Sequence, residues 1–203
     1  MEFPIDAVIG SASLLVAVVT FVITDRSKRK QHQNTAEREI RQDRMQANRE
    51  IYQRLELSST DLFRWEADHL EVIRPLWEEG TPIPPADSAE YQVVANYACQ
   101  ILNLFEMAIR FRKDDIVPAE VFNSWVIWFY NLCNAPHFPE LWAALKMDYT
   151  DDLGDVMNAG IELALKEPDE HARKVKFFEH VSTLPKCGSV KDLLARLDRS
   201  PEP

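Results

Sequence analysis

The stretch YQVVANYACQILNLFEMAIRF, residues 91–111, decides the fold that this sequence predicts. It contains neither Gly nor Pro, and its apolar residues recur mostly at three- and four-residue steps. Those residues are Tyr91, Val94, Tyr97, Ile101, Leu104, Phe105, Ala108 and Phe111. Residues at this spacing share the faces of an α-helix, and here they surround most of its circumference. We therefore expect this stretch to form the central helix of an all-α bundle.

A stripe of polar residues interrupts this apolar surface. The polar stripe consists of Asn96, Gln100, Asn103, Glu106 and Arg110, which also recur at three- and four-residue steps. One interpretation is that it lines a pocket or a buried hydrogen-bond network. The other is that it is the solvent face of the helix, with Glu106 and Arg110 as an ordinary i, i+4 pair. The sequence leaves both interpretations open.

Turn signals delimit this helix and its neighbours. The loop EEGTPIPPADS, residues 78–88, is rich in Gly and Pro. Asp87 and Glu90 have the spacing of a capping box, which opens the central helix at about Ser88. After the turn KDDIVP, Pro118 fits the first position of an aromatic-rich helix. Thr150 and Ser189 fit the caps of two later helices.

The remaining helices follow from the same periodicity. We predict them at residues 58–76, 138–147, 150–164 and 171–181, with a last short helix after Ser189. Pro75 stops or bends the first of these in its last turn. No segment has the alternating pattern of a strand. The predicted class is therefore all-α, with about five to six helices in the bundle.

An uncharged run precedes the bundle at the amino terminus. The stretch AVIGSASLLVAVVTFVIT, residues 7–24, contains no charged residue. As a helix it reaches about 27 Å, close to the thickness of a bilayer's hydrocarbon core. The flank before it is acidic, whereas the flank after it carries Arg26, Lys28, Arg29 and Lys30. A secretory signal has the reverse order of charge. We therefore expect a single inner-membrane span with the amino terminus outside and the rest in the cytoplasm.

One face of this predicted span is made of small residues. They are Gly10, Ser13, Ala17, Thr20 and Thr24, again at three- and four-residue steps. Small residues at this spacing let two helix backbones approach closely in lipid. The face therefore predicts packing against a second copy or against the span of a partner. Alternatively, these residues are simply tolerated in a single span.

Charge separates the segment after the span from the rest of the chain. Residues 26–55 hold nine Lys and Arg against four Asp and Glu, a net of 9 − 4 = +5. They lack Gly and Pro, which favours a polar stalk helix whose basic residues attract an anionic leaflet. Residues 56–203 hold fourteen Lys and Arg against twenty-six Asp and Glu, a net charge of 14 − 26 = −12. A body of that sign repels phosphates, so we expect no nucleic-acid partner.

These observations divide the chain into four predicted segments. They are the anchor at 1–25, the basic juxtamembrane stalk helix at 26–57, the helical bundle at 58–183 and a tail with a short amphipathic helix at 184–203.

The sequence offers few residues for chemistry. Its five glycines are scattered, which excludes a phosphate-binding loop and a nucleophile elbow. The three cysteines, Cys99, Cys133 and Cys187, are odd in number and widely spaced, so we expect no disulfide framework. Cys99 and Cys133 are interpreted as core residues. No catalytic triad or carboxylate dyad is present, and we expect no catalytic residue and no cofactor.

Three sets of residues have the chemistry of metal ligands. They are Cys133 with His137, His171 with His180, and the aspartates Asp148, Asp151, Asp152 and Asp155. Between Cys133 and His137 stands Pro136, and no second pair with comparable spacing follows. The two histidines are nine residues apart and share one side of a helix only approximately. The aspartates lack a calcium-loop pattern, and three of them flank or follow Thr150, where negative charge favours a helix start. We therefore predict no metal site.

The order of span, stalk and bundle resembles a family. The stretches VVANYACQILNLFEMAIRF and VPAEVFNSWVIWFYNLC, with Asn103 and Glu106 as an Asn-x-x-Glu motif, are similar to uncharacterised bacterial single-pass membrane-anchored proteins with a cytoplasmic helical domain. The resemblance covers about residues 7–145. It implies this layout and no activity.

Together these features predict a protein that works by binding other proteins. We expect an accessory subunit, an assembly factor or a scaffold of an inner-membrane complex, in contact with other membrane subunits or as a homo-oligomer. The alternative is a membrane-linked sensor or a stress or defence effector that binds a ligand in the polar stripe. A metal-dependent enzyme built on the aspartates is a third hypothesis.

Overall fold

The computed structural model describes the backbone of residues 5–197 and the side chains of residues 31, 35 and 37–195. Within this part the chain forms helices and no strand, which confirms the all-α class. The helices are α1 (Ile5–Asp68), α2 (Leu70–Trp77), α3 (Ala89–Lys113), α4 (Ala119–Cys133), α5 (Phe138–Leu145), α6 (Asp151–Lys166), α7 (Glu170–Ser182) and α8 (Lys191–Leu197). Two 3₁₀ turns, Lys146–Asp148 and Gly188–Val190, precede α6 and α8.

The chain divides into two compact units, Met1–Arg49 and Glu50–Pro203. The described side chains of the first unit lie almost all at the surface, and Ile40 is 68% exposed. No helix in the described part of the chain is both long enough and apolar enough to cross a membrane. The side chains of the predicted span at 7–24, of its small-residue face and of Arg26, Lys28, Arg29 and Lys30 lie outside the described residues.

The core of the second unit is built around α3. Val94, Tyr97, Ile101 and Phe105 on this helix have no exposed surface. The helix packs against α2, α4, α5 and α6. The apolar period of residues 91–111 therefore predicted both the helix and its buried position.

Aromatic rings fill the space between α3, α4 and α7. The ring centroids of Phe105 and Phe129 lie 4.1 Å apart, and those of Phe122 and Phe129 lie 6.0 Å apart in an edge-to-face arrangement. The ring centroids of Tyr130 on α4 and Phe177 on α7 lie 5.7 Å apart and extend the cluster. Each such pair contributes about 0.5–1.5 kcal/mol beyond the burial of its area.

The segment after α7 also belongs to this core. Leu184, Cys187, Val190 and Leu193 are buried. The amide of Asn123 on α4 donates to the carbonyl oxygen of Ser189 at 3.0 Å, which fastens the second 3₁₀ turn to the bundle. Residues 184–193 thus pack with the bundle, although the sequence placed them in a separate tail. The other predicted segment boundaries stay predictions.

The helix predicted at 58–76 is two helices. Its first half continues α1, and the chain turns at His69 before α2 begins. The Nδ1 atom of His69 lies 2.7 Å from the carbonyl oxygen of Trp65, while the backbone N–H of His69 donates to Glu66 instead. A side chain that takes the place of the helical N–H interrupts the helix there. Pro75 is accommodated inside α2. The bundle therefore has more helices than the predicted five to six.

Three predicted helix starts are displaced. Ser88 caps α3 by accepting the N–H of Tyr91 at 3.0 Å, so Asp87 stands one residue too early. Pro118 is the cap residue of α4, because its ψ of 147° is extended, and the helix begins one residue later. The hydroxyl of Ser189 donates to Oδ1 of Asn123 at 3.4 Å, and α8 begins two residues later, at Lys191.

Two residues of the described chain other than glycine have a positive φ, and they pair with each other. Asp115 (57°) follows α3, and Lys186 (62°) follows α7. Their side chains form an ion pair, and Arg112 Nε donates to the carbonyl oxygen of Lys186 at 3.0 Å. These contacts hold two left-handed turns in place, a conformation that is costly for residues with a side chain.

Candidate functional site

The polar stripe of α3 lies at the surface. Asn96, Gln100, Asn103 and Arg110 are exposed, and Glu106 is half-buried. Most of the stripe is therefore the solvent face of the helix, and its last two members, Glu106 and Arg110, border a cavity at the surface. Of the two interpretations left open by the sequence, the structure supports this one.

Glu106 has a role that differs from the predicted i, i+4 pair. Its carboxylate accepts the backbone N–H of Thr150 at 2.7 Å, across the gap between α3 and α6. Thr150 is the cap residue of α6, but its own hydroxyl makes no capping bond. The carboxylate from α3 thus supplies the negative charge and the acceptor that a helix start requires.

A cavity of about 460 Å³ lies beside this contact. Its wall includes Glu106, Arg110, Lys113 and Asp152. Lys113 and Asp152 form a salt bridge of 2.5 Å from α3 to α6. Much of the charge at this cavity is therefore already paired within the protein.

The residues considered as metal ligands do not converge. Asp152 is paired with Lys113, and Asp155 lies 2.9 Å from Nε2 of His180. The sulfur of Cys133 lies 3.7 Å from the sulfur of Met157 in the core. Nowhere in the described part of the chain are three His, Cys, Asp or Glu side chains placed to hold a metal ion.

Two of the cysteines are buried thiols. Burial raises the pKa of Cys133 well above its usual range. Burial also raises the pKa of Cys187, to about 11. A thiol that stays protonated is a poor nucleophile. Cys99 is half-buried.

One cavity of the second unit is a groove that the sequence did not indicate. It has a volume of about 660 Å³ and lies between the end of α1, α2, the end of α4 and the start of α7. We call this feature the aromatic groove. It is lined by Phe63, Glu66, Ala67, Leu70, Trp77, Trp128, Tyr130, Asn131, Asn134, Ala135, Pro136, Glu170 and Arg173.

The apolar wall of the aromatic groove is open to solvent. Phe63 is 49% exposed and Leu70 is 57% exposed. The ring of Phe63 lies 4.8 Å from that of Trp128, which in turn meets the buried ring of Phe105 at 4.9 Å. The wall is therefore an outward extension of the aromatic core. Exposed apolar surface of this kind often marks a site of interaction.

The aromatic groove is lined by two carboxylates and one guanidinium. They belong to Glu66, Glu170 and Arg173. Arg173 donates from Nη1 to the carbonyl oxygen of Glu167, the residue that caps the end of α6, at 3.2 Å. Lys174 pairs with Glu170 and lowers the pKa of this carboxylate.

The floor of the aromatic groove contains polar atoms without a partner. The indole Nε1 of Trp77, the hydroxyl of Tyr130 and the Nε of Arg173 are buried and make no hydrogen bond to any described residue. The hydroxyl of Tyr97, in the core, lies near Glu66 and Trp77, which both line the groove. Burial, and then Glu66, raise the pKa of Tyr97 strongly. An unpaired buried donor costs about 1–3 kcal/mol, so a group that forms hydrogen bonds with these atoms is favoured at this floor.

Sequence reasoning missed the aromatic groove for a simple reason. Its residues come from four separate segments, and each segment is an ordinary helix end. The available signal was Phe63, an aromatic residue outside the helical period that includes Leu62, Trp65 and Ile73. Comparison with protein-family models finds no match, and neither the search of curated proteins nor that of solved structures finds one. The resemblance to bacterial membrane-anchored proteins therefore stays a prediction.

Proposed function

We propose that this chain is a membrane-tethered protein-interaction module, acting as an accessory subunit, an assembly factor or a scaffold of an inner-membrane complex. The observation that carries the proposal is the aromatic groove, at which Phe63 and Leu70 expose about half of their surface. An apolar wall between charged residues is typical of a surface that a partner covers.

The membrane part of the proposal rests on the sequence. The uncharged run at 7–24 and the basic residues after it favour an anchor with its amino terminus outside and its bundle in the cytoplasm. A fluorescent protein that folds only in the cytoplasm, fused after residue 203, should give a signal in intact cells. Extraction at alkaline pH should leave the chain in the membrane pellet and release a variant that lacks residues 1–25. A soluble full-length chain would contradict this arrangement.

The described chemistry supports binding more than catalysis. His180 and Asp155 are a His–carboxylate pair, but the cavity of about 400 Å³ beside His180 is lined by no Ser, Thr or Cys. Its charged groups also pair among themselves, as Lys166 with Glu162 and Lys176 with Glu167. A nucleophile for the histidine to activate is not among these residues.

Purification of the full chain from membranes in mild detergent tests the interaction. We expect a partner protein at a stoichiometric ratio. Leu70→Asn should remove that partner, because it places an amide in the apolar wall. Leu165→Asn is the matched control, since Leu165 is 75% exposed on α6 and does not line the groove. Recovery of a homo-oligomer alone would contradict the proposal.

A second candidate function is a sensor that binds a small molecule in the aromatic groove. The volume of about 660 Å³ lies in the range of small-molecule sites, and the unpaired atoms of the floor favour an occupant that forms hydrogen bonds with them. In this case the polar stripe is not the ligand site. A library of small metabolites screened by thermal shift would support the sensor if one compound stabilised the native chain but not Leu70→Asn.

A further inference from the structure

We infer that the aromatic groove binds a small uncharged molecule that joins an apolar body to a carbonyl oxygen. The inference rests on the second candidate function, the sensor, and names the chemical class of its ligand.

The apolar body of this ligand follows from the wall of the groove. Phe63 and Leu70 leave about half of their surface exposed there, and Trp128 is half-buried. Behind the wall, the ring of Trp128 packs edge-on against the buried ring of Phe105, with centroids 4.9 Å apart. A ring or an aliphatic chain that lies on this wall loses its contact with water, which favours binding through the hydrophobic effect.

The carbonyl oxygen follows from the floor of the groove. The indole Nε1 of Trp77 and the Nε of Arg173 can only donate a hydrogen bond, and the hydroxyl of Tyr130 is also able to donate one. These three atoms are buried and make no hydrogen bond to any described residue, and their residues line the groove. Tyr130 as a whole is only 4% exposed. The group that complements such donors is a hydrogen-bond acceptor.

The carboxylates at the groove do not select a donor in the same way. Glu170 is exposed and pairs with Lys174, and Glu66 is half-buried near the hydroxyl of Tyr97. A polar group that already has a partner exchanges one hydrogen bond for another when a ligand arrives, so the net gain is small. Selection between ligands therefore depends on the unpaired donors of the floor.

The charges at the groove favour a ligand without charge. Glu66 and Glu170 are balanced by Arg173, which lines the groove, and by Lys174, which pairs with Glu170. Neither a cation nor an anion gains a net attraction from this set, whereas burial of a charge without a partner is costly. A neutral carbonyl compound avoids that cost.

The size of the groove and its floor favour a small molecule over a protein segment. The volume of about 660 Å³ is within the range of small-molecule sites. Most carbonyl oxygens of a folded segment are already paired with backbone N–H groups. Such a segment has few acceptors to offer the floor, while a small carbonyl compound has its oxygen free.

The test uses the full chain in lipid nanodiscs and two probes that share the same pair of rings. Cyclohexyl phenyl ketone joins the rings through a carbonyl group, and cyclohexylphenylmethane joins them through a methylene group. Equilibrium dialysis against empty nanodiscs corrects for uptake of each probe by lipid and gives its affinity for the protein. We expect the ketone to bind to the unaltered chain.

Variants of the floor then test the role of the oxygen. Tyr130→Phe removes a donor and keeps the ring, so it should weaken binding of the ketone roughly two- to tenfold and leave binding of the hydrocarbon unchanged. Trp77→Phe, which removes a second donor, should also weaken the ketone more than the hydrocarbon, and it carries the test if Tyr130→Phe does not fold. Tyr149→Phe is the matched control, because this hydroxyl donates to the carbonyl oxygen of Cys99 at 3.4 Å and Tyr149 does not line the groove. It should change neither affinity.

The outcomes separate the inference from the proposed functions. If a metabolite stabilises the native chain in the thermal-shift screen but the variants weaken the ketone and the hydrocarbon equally, the sensor stands and the inference is overturned. Absence of ketone binding overturns the inference whatever the screen finds. A protein partner that stays bound across the groove and excludes the ketone also overturns it, and supports the interaction module instead.

Discussion

Cys133 on α4 lies directly against Gly160 on α6, in a contact that leaves no room for a side chain at position 160. A β-carbon on Gly160 would lie 2.8 Å from the β-carbon of Cys133, closer still to its sulfur, and 2.9 Å from the ring of Phe177. All three residues are fully or almost fully buried. The close approach of α4, α6 and α7 therefore depends on this glycine.

Replacement of that glycine should destabilise the bundle. Gly160→Ala should cost about 1–3 kcal/mol of unfolding free energy, because the added methyl group overpacks the contact with Cys133. Gly154→Ala on the same helix is the control, since nothing lies within 4 Å of its added methyl group. That variant should be more stable by about 0.4–1 kcal/mol. Urea unfolding measures both, and equal effects would refute the packing argument.

The exposed polar stripe and the contact that caps α6 should respond differently to mutation. Glu106→Ala removes the acceptor for the N–H of Thr150 and should lower the unfolding free energy by about 1 kcal/mol. Glu106→Gln keeps an acceptor oxygen and should retain part of this stability. Asn103→Ala should change stability by less than about 0.5 kcal/mol, because Asn103 is exposed. Thermal unfolding compares the three variants. A large loss for Asn103→Ala would show that the stripe is not a free solvent face.

Alkaline pH should weaken the fold through Tyr97. Burial and Glu66 raise the pKa of this hydroxyl above the usual value near 10, so the native state keeps a proton that the unfolded state loses. Stability is therefore unaffected below about pH 10 and falls as pH rises beyond it, by up to about 1.4 kcal/mol per pH unit for one proton. Urea midpoints at about pH 9 and about pH 11 measure this fall. Tyr97→Phe should make the fall shallower, and an unchanged slope would exclude Tyr97 as its source.

The three thiols should react at different rates. Cys99 is half-buried, whereas burial raises the pKa of both Cys133 and Cys187. With iodoacetamide near neutral pH, Cys99 should be alkylated first and the other two only when the chain unfolds. Mass spectrometry of timed samples gives the order. Early alkylation of Cys187 in the native protein would contradict its buried position.

The helices were predictable from the sequence because their signals are local. The period of residues 91–111 predicted α3 correctly. The observed cap residue, Ser88, stands one residue after the predicted cap, Asp87. The turn at His69 was not predictable in the same way. The turn depends on the ring of His69, whose Nδ1 atom lies within hydrogen-bond distance of the carbonyl oxygen of Trp65, four residues earlier. From the sequence, Pro75 was expected to interrupt this helix instead.

The candidate site was less predictable because it depends on how helices meet. Asn103 and Gln100 suit a buried network or a solvent face equally well, and only the packing of α3 shows which face is covered. Glu106 meets Thr150 across forty-four positions, a pairing that no helical period indicates. Phe63 and Trp128 are also far apart in the sequence, and their rings meet only in the folded chain. The aromatic groove therefore forms only when α1 and α4 pack together.

Two of the five tryptophans, Trp77 and Trp128, stand in the aromatic groove, while Trp125 and Trp142 are buried away from it. Indole emission shifts to shorter wavelength when water leaves the ring. The protein thus carries its own optical reporter of occupancy, and no label is required. The variants Trp77→Phe and Trp128→Phe would each remove one of the two emitting rings. A titration of both variants then shows which of the two tryptophans an occupant lies against, as well as whether it binds.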